Sequence, residues 1–167
     1  ANADWPGNNV KFWQNKNADG KWRWIIYDTD FGFAWIYGED HTHNTLRFAL
    51  ETNGPGWPNP PWSTFILRKL LENQFFKESF VKRYLDLMNS MFSSSEIKKL
   101  LTQVADDIDK AIPKHANKWG QFSYNGWKNN ISTMKYFADI RPVYLNNYFK
   151  VEFNLGDPQE VELNISE

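Results

Sequence analysis

Apolar and polar residues alternate along two short segments near the start of the chain. Residues 9–14 (NVKFWQ) and 21–28 (KWRWIIYD) are rich in aromatic and β-branched residues, and the turn-forming stretch NKNADG separates them. This pattern predicts a β-hairpin. If the pleat of the second strand is regular, Asp28 and Asp30 lie on one face, with both carboxylates pointing the same way.

The pattern then becomes irregular. Residues 33–62 carry no clear periodicity and include the proline-rich stretch GPGWPNPPW. A connection of this length is long for a compact domain, and such loops are often functional. We therefore expect an irregular, functional loop between the hairpin and the rest of the chain.

Helical spacing of apolar residues begins after this loop. It predicts helices over residues 63–73 (STFILRKLLEN) and 73–92 (NQFFKESFVKRYLDLMNSMF). Ser93, with Glu96 three residues later, forms a capping box for a third helix. We expect that third helix to end near Pro113.

Two further helices are expected near the end of the chain. Residues 126–140 (GWKNNISTMKYFADI) have helical character, and Pro142 is expected to open a last helix, since proline suits a first helical turn. Alternation returns in residues 156–167, which we interpret as a tail strand or the start of a following β module. The element order predicts an α+β domain over residues 1–155, with four or five helices.

Composition and charge exclude several classes of function. The 167 residues carry 19 basic and 20 acidic side chains, well mixed, without the basic excess typical of nucleic-acid binding. Cysteine is absent, which excludes disulfides, thiolate metal sites and a cysteine nucleophile. No apolar run approaches the roughly 20 residues of a membrane span. The sequence starts without a basic or apolar leader. Its first residues look like the interior of a motif, so we expect the natural protein to extend further upstream.

Common catalytic and metal motifs find little support. Neither the G-x-S-x-G nucleophile motif nor a Walker-type phosphate loop is present. The stretch from Asn15 resembles the start of a calcium loop, but its twelfth position is Ile26 rather than Glu, so a hairpin turn is the better interpretation. His41 and His43 lack a third anchored ligand, which disfavours a metal site there.

Acceptor residues cluster at the open end of the predicted hairpin. Asp4 and Asn9 are five residues apart in D-W-P-G-N-N, the spacing of the Asp and Asn in the H-R-D-x-x-x-x-N catalytic loop of protein kinases. In kinases a hairpin then leads to D-F-G, and here the hairpin leads to Asp30-Phe31-Gly32. The alternative is that these residues are turn caps.

Two stretches, N-A-D-W-P-G-N-N-V-K-F-W and G-K-W-R-W-I-I-Y-D-T-D-F-G-F, together with F-A-D-I-R-P-V-Y-L, resemble the spore coat protein H (CotH) kinases, atypical secreted protein kinases of bacteria. The resemblance implies a kinase-like C-lobe, ATP with Mg²⁺ or Mn²⁺, and phosphoryl transfer to the hydroxyl groups of a protein substrate. It also implies an extracellular or cell-envelope location.

Carried over by position, Asp4 is similar to the catalytic-loop carboxylate and Asn9 to the metal-ligating amide. Asp30 takes the place of the D-F-G aspartate, and Asp28 is a second candidate metal ligand. Asn8, beside them, is expected to contact the nucleotide. Which of the two later aspartates holds the metal more directly stays open.

The sequence also departs from typical kinases. Asn2-Ala3 replaces His-Arg, Pro6 replaces a lysine, and the glycine-rich loop, strand lysine and partner glutamate have no counterpart. In kinases these last elements belong to the N-lobe. The resemblance therefore implies a C-lobe that lacks its N-lobe and is inactive or very weak by itself. An apolar patch on the hairpin is then expected to be exposed, with Trp13, Trp22 and Trp24 as its members.

Two other functional classes remain open. A pseudokinase or other extracellular binding module could use the aromatic loop around Trp57 and Trp62 to hold glycan or protein. A metal-dependent phosphohydrolase could use Asp28 and Asp30.

Overall fold

The computed structural model describes residues 2–33, 40–52, 56, 59–157 and 159. These residues form a two-stranded antiparallel sheet followed by helices, so the α+β class is confirmed. None of the described helices is both long and apolar enough to cross a membrane. The elements are strands β1 (Val10–Gln14) and β2 (Trp22–Ile26), 3-10 helices Asp30–Phe33 and Asp109–Ala111, and helices α1 (Thr45–Leu50), α2 (Pro61–Leu71), α3 (Gln74–Met88), α4 (Ser94–Ile108), α5 (Ile112–Trp119) and α6 (Tyr124–Phe153).

The predicted hairpin is present, and its register is fixed by a tight turn. Val10 pairs with Ile26 at the open end. At the other end, the Asn15 carbonyl accepts hydrogen bonds from the backbone N–H groups of Ala18 and Gly20, both at 3.3 Å. Gly20 has φ +64°, a left-handed conformation that glycine adopts without steric cost.

The second strand ends earlier than predicted. It stops at Ile26, Asp28 has φ +53°, and Asp30 begins a 3-10 helix. A regular pleat therefore does not continue to the two aspartates, and the prediction that the pleat puts them on one face is wrong. Their relation depends on the turn that follows the strand.

Helix α6 carries the centre of the core. Phe149 and Phe153 are buried on it together with Leu46 of α1. Tyr84 of α3 stacks on Phe149 with ring centroids 3.5 Å apart and 8° between the ring planes. Burial raises the pKa of Tyr84 to about 12, and its hydroxyl donates a 2.6 Å hydrogen bond to Oδ1 of Asn146. Aromatic stacking thus joins α3 to α6, and Leu46 adds α1 to the same apolar core.

Part of the predicted irregular loop is regular. Helix α1 lies inside it, with the Asn44 side chain accepting a 2.9 Å hydrogen bond from the N–H of Arg47. Asn59 is wholly buried, where its amide donates to the Phe48 carbonyl and its oxygen accepts from the Ser63 hydroxyl at 3.1 Å. These bonds fasten α1 to the start of α2. Trp57 lies outside the described residues.

The third predicted helix is α4, and its N-cap is confirmed. The Ser93 hydroxyl accepts a 3.4 Å hydrogen bond from the N–H of Glu96. The helix ends at Ile108, five residues before Pro113, and Pro113 instead lies in the first turn of the short helix α5. Proline fits that position because the first N–H groups of a helix have no partner within the helix.

The prediction that Pro142 opens a helix is wrong. Pro142 lies inside α6, which runs for 30 residues. An interior proline removes one backbone hydrogen bond and costs about 3 kcal/mol. The helix continues because it buries side chains on both sides of the proline, among them Ala138, Phe149 and Phe153.

Apolar side chains cover much of the hairpin surface. Phe12 lies edge-on to Trp22 and Trp24, with ring centroids 5.4 and 5.6 Å apart. The predicted exposure of Trp13, Trp22 and Trp24 is confirmed. The expected tail strand over 156–167 falls almost entirely outside the described residues, so that boundary stays a prediction.

The aromatic core yields a stability prediction. We expect Phe149→Ala to lower the free energy of unfolding by about 3–5 kcal/mol, since a buried ring is lost and a cavity remains. Phe75→Ala is the matched control, because Phe75 is 80% exposed, and we expect a change within about 0.5 kcal/mol. Urea denaturation followed by fluorescence measures both. Equal losses in the two variants would contradict this account of the core.

Candidate active site

The hairpin register brings two polar stretches together. Since Val10 pairs with Ile26, the residues before β1 and after β2 meet at the open end of the hairpin. Asn9 and Asp28 flank the strands there with φ of +52° and +53°. Among the described residues, the other non-glycine position with positive φ is Asn154, a helix C-cap. Asn and Asp are the side chains that tolerate this backbone best.

Asp4 is held firmly by its neighbours. Its Oδ1 accepts a 3.0 Å hydrogen bond from the Asn8 amide, and its Oδ2 accepts a 2.8 Å bond from the Asn9 amide. The Asp4 N–H donates to Oδ1 of Asn2 at 2.8 Å. The carboxylate therefore has a fixed orientation, and each oxygen retains lone-pair capacity for a further donor.

Asp28 and Asp30 form an acidic pair beside this loop. Desolvation raises the pKa of Asp28 above its ordinary value, and the charge of Asp30, a hydrogen bond with Asp30 and the charge of Asp4 raise it further. Because Asp28 is exposed overall, its desolvation comes from close neighbours rather than from a closed cavity. The turn after β2 thus brings Asp28 and Asp30 together, which a regular pleat does not do.

The donor set suits a hard divalent cation that also binds a ligand. Carboxylate and amide oxygens are available from Asp28, Asp30 and Asn9, whose amide nitrogen, not its oxygen, is used by Asp4. No group of three or more His, Cys, Asp or Glu within the described ranges is arranged to hold a metal ion. Mg²⁺ is commonly bound through one or two carboxylates plus substrate phosphates and water, and two aspartates meet that requirement.

The acidic pair continues into a turn that contacts α6. The Gly32 N–H donates a 2.9 Å hydrogen bond to the Thr29 carbonyl. The Phe33 ring then packs edge-on against Phe137 of α6, with centroids 5.4 Å apart. The D-F-G segment is therefore attached to the helical part of the protein as well as to the hairpin.

Arg141 is a residue of this region that was not predicted from the sequence pattern. It is 5% exposed and donates to the carbonyls of His41 (2.6 Å) and His43 (2.7 Å) and to Oγ1 of Thr45 (2.9 Å). Burial lowers the pKa of the Arg141 guanidinium. The sequence did contain a signal for the burial of Arg141. Arg141 follows Phe137 and Ala138 at helical spacing, so it lies on an apolar face of the helix.

The two histidines of the His41–Thr45 stretch contribute mainly through packing and backbone. The His41 ring contacts Tyr136 and Tyr144, with centroids 5.9 and 5.4 Å away, and His43 contacts Phe48 at 5.7 Å. Their carbonyls are the acceptors for Arg141. These histidines therefore help attach the stretch to α6.

A large cavity lies next to the acidic cluster but has different chemistry. Its volume is about 710 Å³, and it separates the hairpin from α2 and α3. Asn9 and Thr29 reach its edge, while most of its wall is apolar, including Trp5, Val10, Ile26, Ile66, Leu67 and Leu70. Such walls suit apolar groups, so we locate the polar chemistry at the aspartates.

The chain matches a known protein family. The family model described as "CotH kinase protein" matches residues 1–145 of the 167-residue chain. No curated protein and no solved structure matches the chain. The match includes the loop of Asp4, the hairpin, the acidic pair and Arg141.

The strained and acidic position 28 yields a prediction. We expect Asp28→Asn to raise the melting temperature of the metal-free protein at pH 7, because it removes a like charge and asparagine tolerates the left-handed backbone. Asp28→Ala is the matched variant and should melt below Asp28→Asn, since alanine disfavours that conformation. Differential scanning calorimetry measures all three proteins.

The pH dependence of this effect has a defined sign. A carboxyl whose folded-state pKa is raised contributes stability at low pH, and that contribution is lost as pH rises through the folded-state pKa. The advantage of Asp28→Asn should therefore disappear below the ordinary Asp pKa of 3.8, where the carboxyl is protonated in both states. A lower melting temperature for Asp28→Asn than for wild type at pH 7 would contradict this interpretation.

Proposed function

This chain belongs to the CotH kinase family, and from that premise we propose that it is the C-lobe of an atypical protein kinase that transfers phosphate from ATP to protein hydroxyl groups with the help of Mg²⁺ or Mn²⁺. The observation that supports this most is the arrangement at the open end of the hairpin. An oriented carboxylate, Asp4, lies beside the Asp28–Asp30 pair. Phosphoryl transfer depends mainly on such positioning and on electrostatic stabilisation.

Asp4 is our proposed catalytic carboxylate. The amides of Asn8 and Asn9 fix both of its oxygens, and the remaining lone pairs can accept the proton of an attacking hydroxyl group. Fixing the base in advance lowers the entropy cost of reaching a reactive geometry. A serine, threonine or tyrosine hydroxyl of a protein substrate fits this role.

Asn8 keeps the nucleotide role that its position implies. One of the two N–H groups of its amide donates to Asp4, so its oxygen and its second N–H remain to contact a ligand. The oxygen suits a nucleotide hydroxyl or a metal-bound water, and the N–H suits a phosphate oxygen. We propose that Asn8 contacts the nucleotide in this way.

Asp28 and Asp30 are the proposed metal ligands, with the amide oxygen of Asn9 as a third. A bound divalent cation would supply positive charge to the phosphate groups. The protein's own contribution is to hold the two carboxylates close together. Desolvation, and after it the charge of Asp30, raises the pKa of Asp28 there. The turn from Thr29 to Phe33 maintains that spacing.

We further propose that an N-lobe covers the hairpin in the working enzyme and supplies the lysine and glycine-rich loop that this sequence lacks. The exposed aromatic residues of the hairpin support this, since such patches on soluble proteins commonly mark interaction sites. The family's secreted character leads us to propose an extracellular or cell-envelope location.

A binding module without catalysis is the second candidate. The exposed hairpin aromatics favour it, as does Trp62, which is 67% exposed on α2. Thermal shift separates the two functions: stabilisation by ATP with Mg²⁺ supports the kinase, and stabilisation by a glycan alone supports the module. Release of inorganic phosphate from ATP without any protein acceptor would indicate the phosphohydrolase.

We expect Asp30→Ala to abolish phosphoryl transfer in the full-length protein while leaving the fold intact, because the metal loses a principal anchor. Transfer of radiolabelled phosphate to a generic protein acceptor measures the activity, and circular dichroism checks the fold. The matched control is Asp86→Ala, which changes an exposed aspartate on α3 and should retain normal activity.

The same assay distinguishes the two acids. Near-normal turnover by a folded Asp30→Ala protein would assign the metal to Asp28 instead. Near-normal turnover by the double variant lacking both carboxylates would exclude the metal site proposed for this pair.

A further inference from the structure

We infer that α6, through Arg141 and Phe137, positions the Asp30 turn, so that Arg141 is a positioning residue of the active site. This inference rests on the proposed function for its effect on activity, but its structural part can be tested separately. Arg141 touches neither Asp28 nor Asp30 in the described contacts. Arg141 instead binds the His41–Thr45 stretch, which follows the two aspartates in the chain.

Both described ends of the segment after Asp30 are attached to one turn of α6. The upstream end is the 3-10 helix Asp30–Phe33, whose last residue packs against Phe137 with centroids 5.4 Å apart. The downstream end is the His41–Thr45 stretch, which receives three hydrogen bonds from Arg141. Phe137 and Arg141 are neighbours at i, i+4 spacing.

The two anchors also touch each other. The Arg141 guanidinium carbon lies 6.0 Å from the centroid of the Phe137 ring, within range of a cation–π interaction. A shift of the Arg141 side chain therefore disturbs the ring on which Phe33 rests. Asp30 begins the same 3-10 helix that Phe33 ends, so such a shift reaches the proposed metal ligand.

The hydrogen bonds of Arg141 indicate that it holds the His41–Thr45 stretch in a specific way. Its guanidinium is buried, and the three acceptors recorded for it are neutral, while Asp40 acts on it only through longer-range charge. Burying a cation without a bonded carboxylate is costly, and the loss of Arg141 would leave two partly buried carbonyls without this donor. A planar guanidinium can reach two carbonyls and a hydroxyl together. A lysine ammonium is a single point charge and does not reproduce this fork of donors.

Other side chains of α6 hold the same stretch. The Tyr148 hydroxyl donates to the Thr42 carbonyl, and the His41 ring lies between Tyr136 and Tyr144. The His41–Thr45 stretch is therefore held along several turns of α6, with Arg141 at the centre. Arg141→Lys should loosen it without unfolding the helix, whose core at Phe149 and Phe153 lies elsewhere.

The test combines amide hydrogen exchange with metal dependence in the full-length protein. In Arg141→Lys we expect at least tenfold faster exchange in peptides covering residues 28–33 and 41–47, with unchanged exchange in α3 and α4. We also expect the Mn²⁺ concentration for half-maximal transfer to rise about tenfold, as is typical when support of metal ligands is lost. Arg83→Lys, an exposed arginine on α3, is the control.

A second pair of variants covers the case in which Arg141→Lys fails to fold. Phe137→Leu should raise exchange in residues 28–33, whereas Phe75→Leu, at an exposed position, should not. Exchange that is unchanged, or that rises equally throughout the protein, would overturn the inference. Wild-type protein that neither binds Mn²⁺ nor transfers phosphate would overturn the proposed function, and the exchange data would still show whether α6 holds the Asp30 turn.

Discussion

The antiparallel pairing of β1 with β2 is the constraint on which the candidate site depends. A register that opposes Val10 and Ile26 leaves the flanking residues facing one another, and a shift by one residue would separate them. The left-handed backbone at Asn9 and Asp28 then turns both chains out of the sheet. Strain of this kind often persists at functional sites, where the surrounding structure holds it in place.

Helix α6 supports this arrangement from the other side. One part of the helix buries Phe149 and Phe153 in the aromatic core, and an earlier part binds the ends of the segment that follows the acidic pair. A single helix thus connects the buried aromatic core to the site. A proline within the helix is tolerated because buried side chains flank it on both sides.

Elements that depend on the local residue pattern were predicted from the sequence. Alternation and turn residues gave the hairpin, and the Ser93 cap gave the start of α4. The Asp–Asn spacing and D-F-G located the polar cluster. What depends on tertiary contact was missed or wrong: Pro142 lies within a helix, α1 lies in a presumed loop, and Arg141 was not recognised. The two aspartates approach each other through a turn, which an assumption of continued pleating could not reveal.

The central claim is that Asp28 and Asp30 jointly hold a divalent cation beside Asp4. Anomalous diffraction from crystals of the full-length protein with Mn²⁺ and a non-hydrolysable ATP analogue tests it most directly. The account predicts a manganese peak between the two carboxylates, with ligand oxygens near the roughly 2.1 Å typical of Mg²⁺ and the Asp4 carboxylate facing the terminal phosphate. A nucleotide bound with its metal at a different set of side chains would contradict the account.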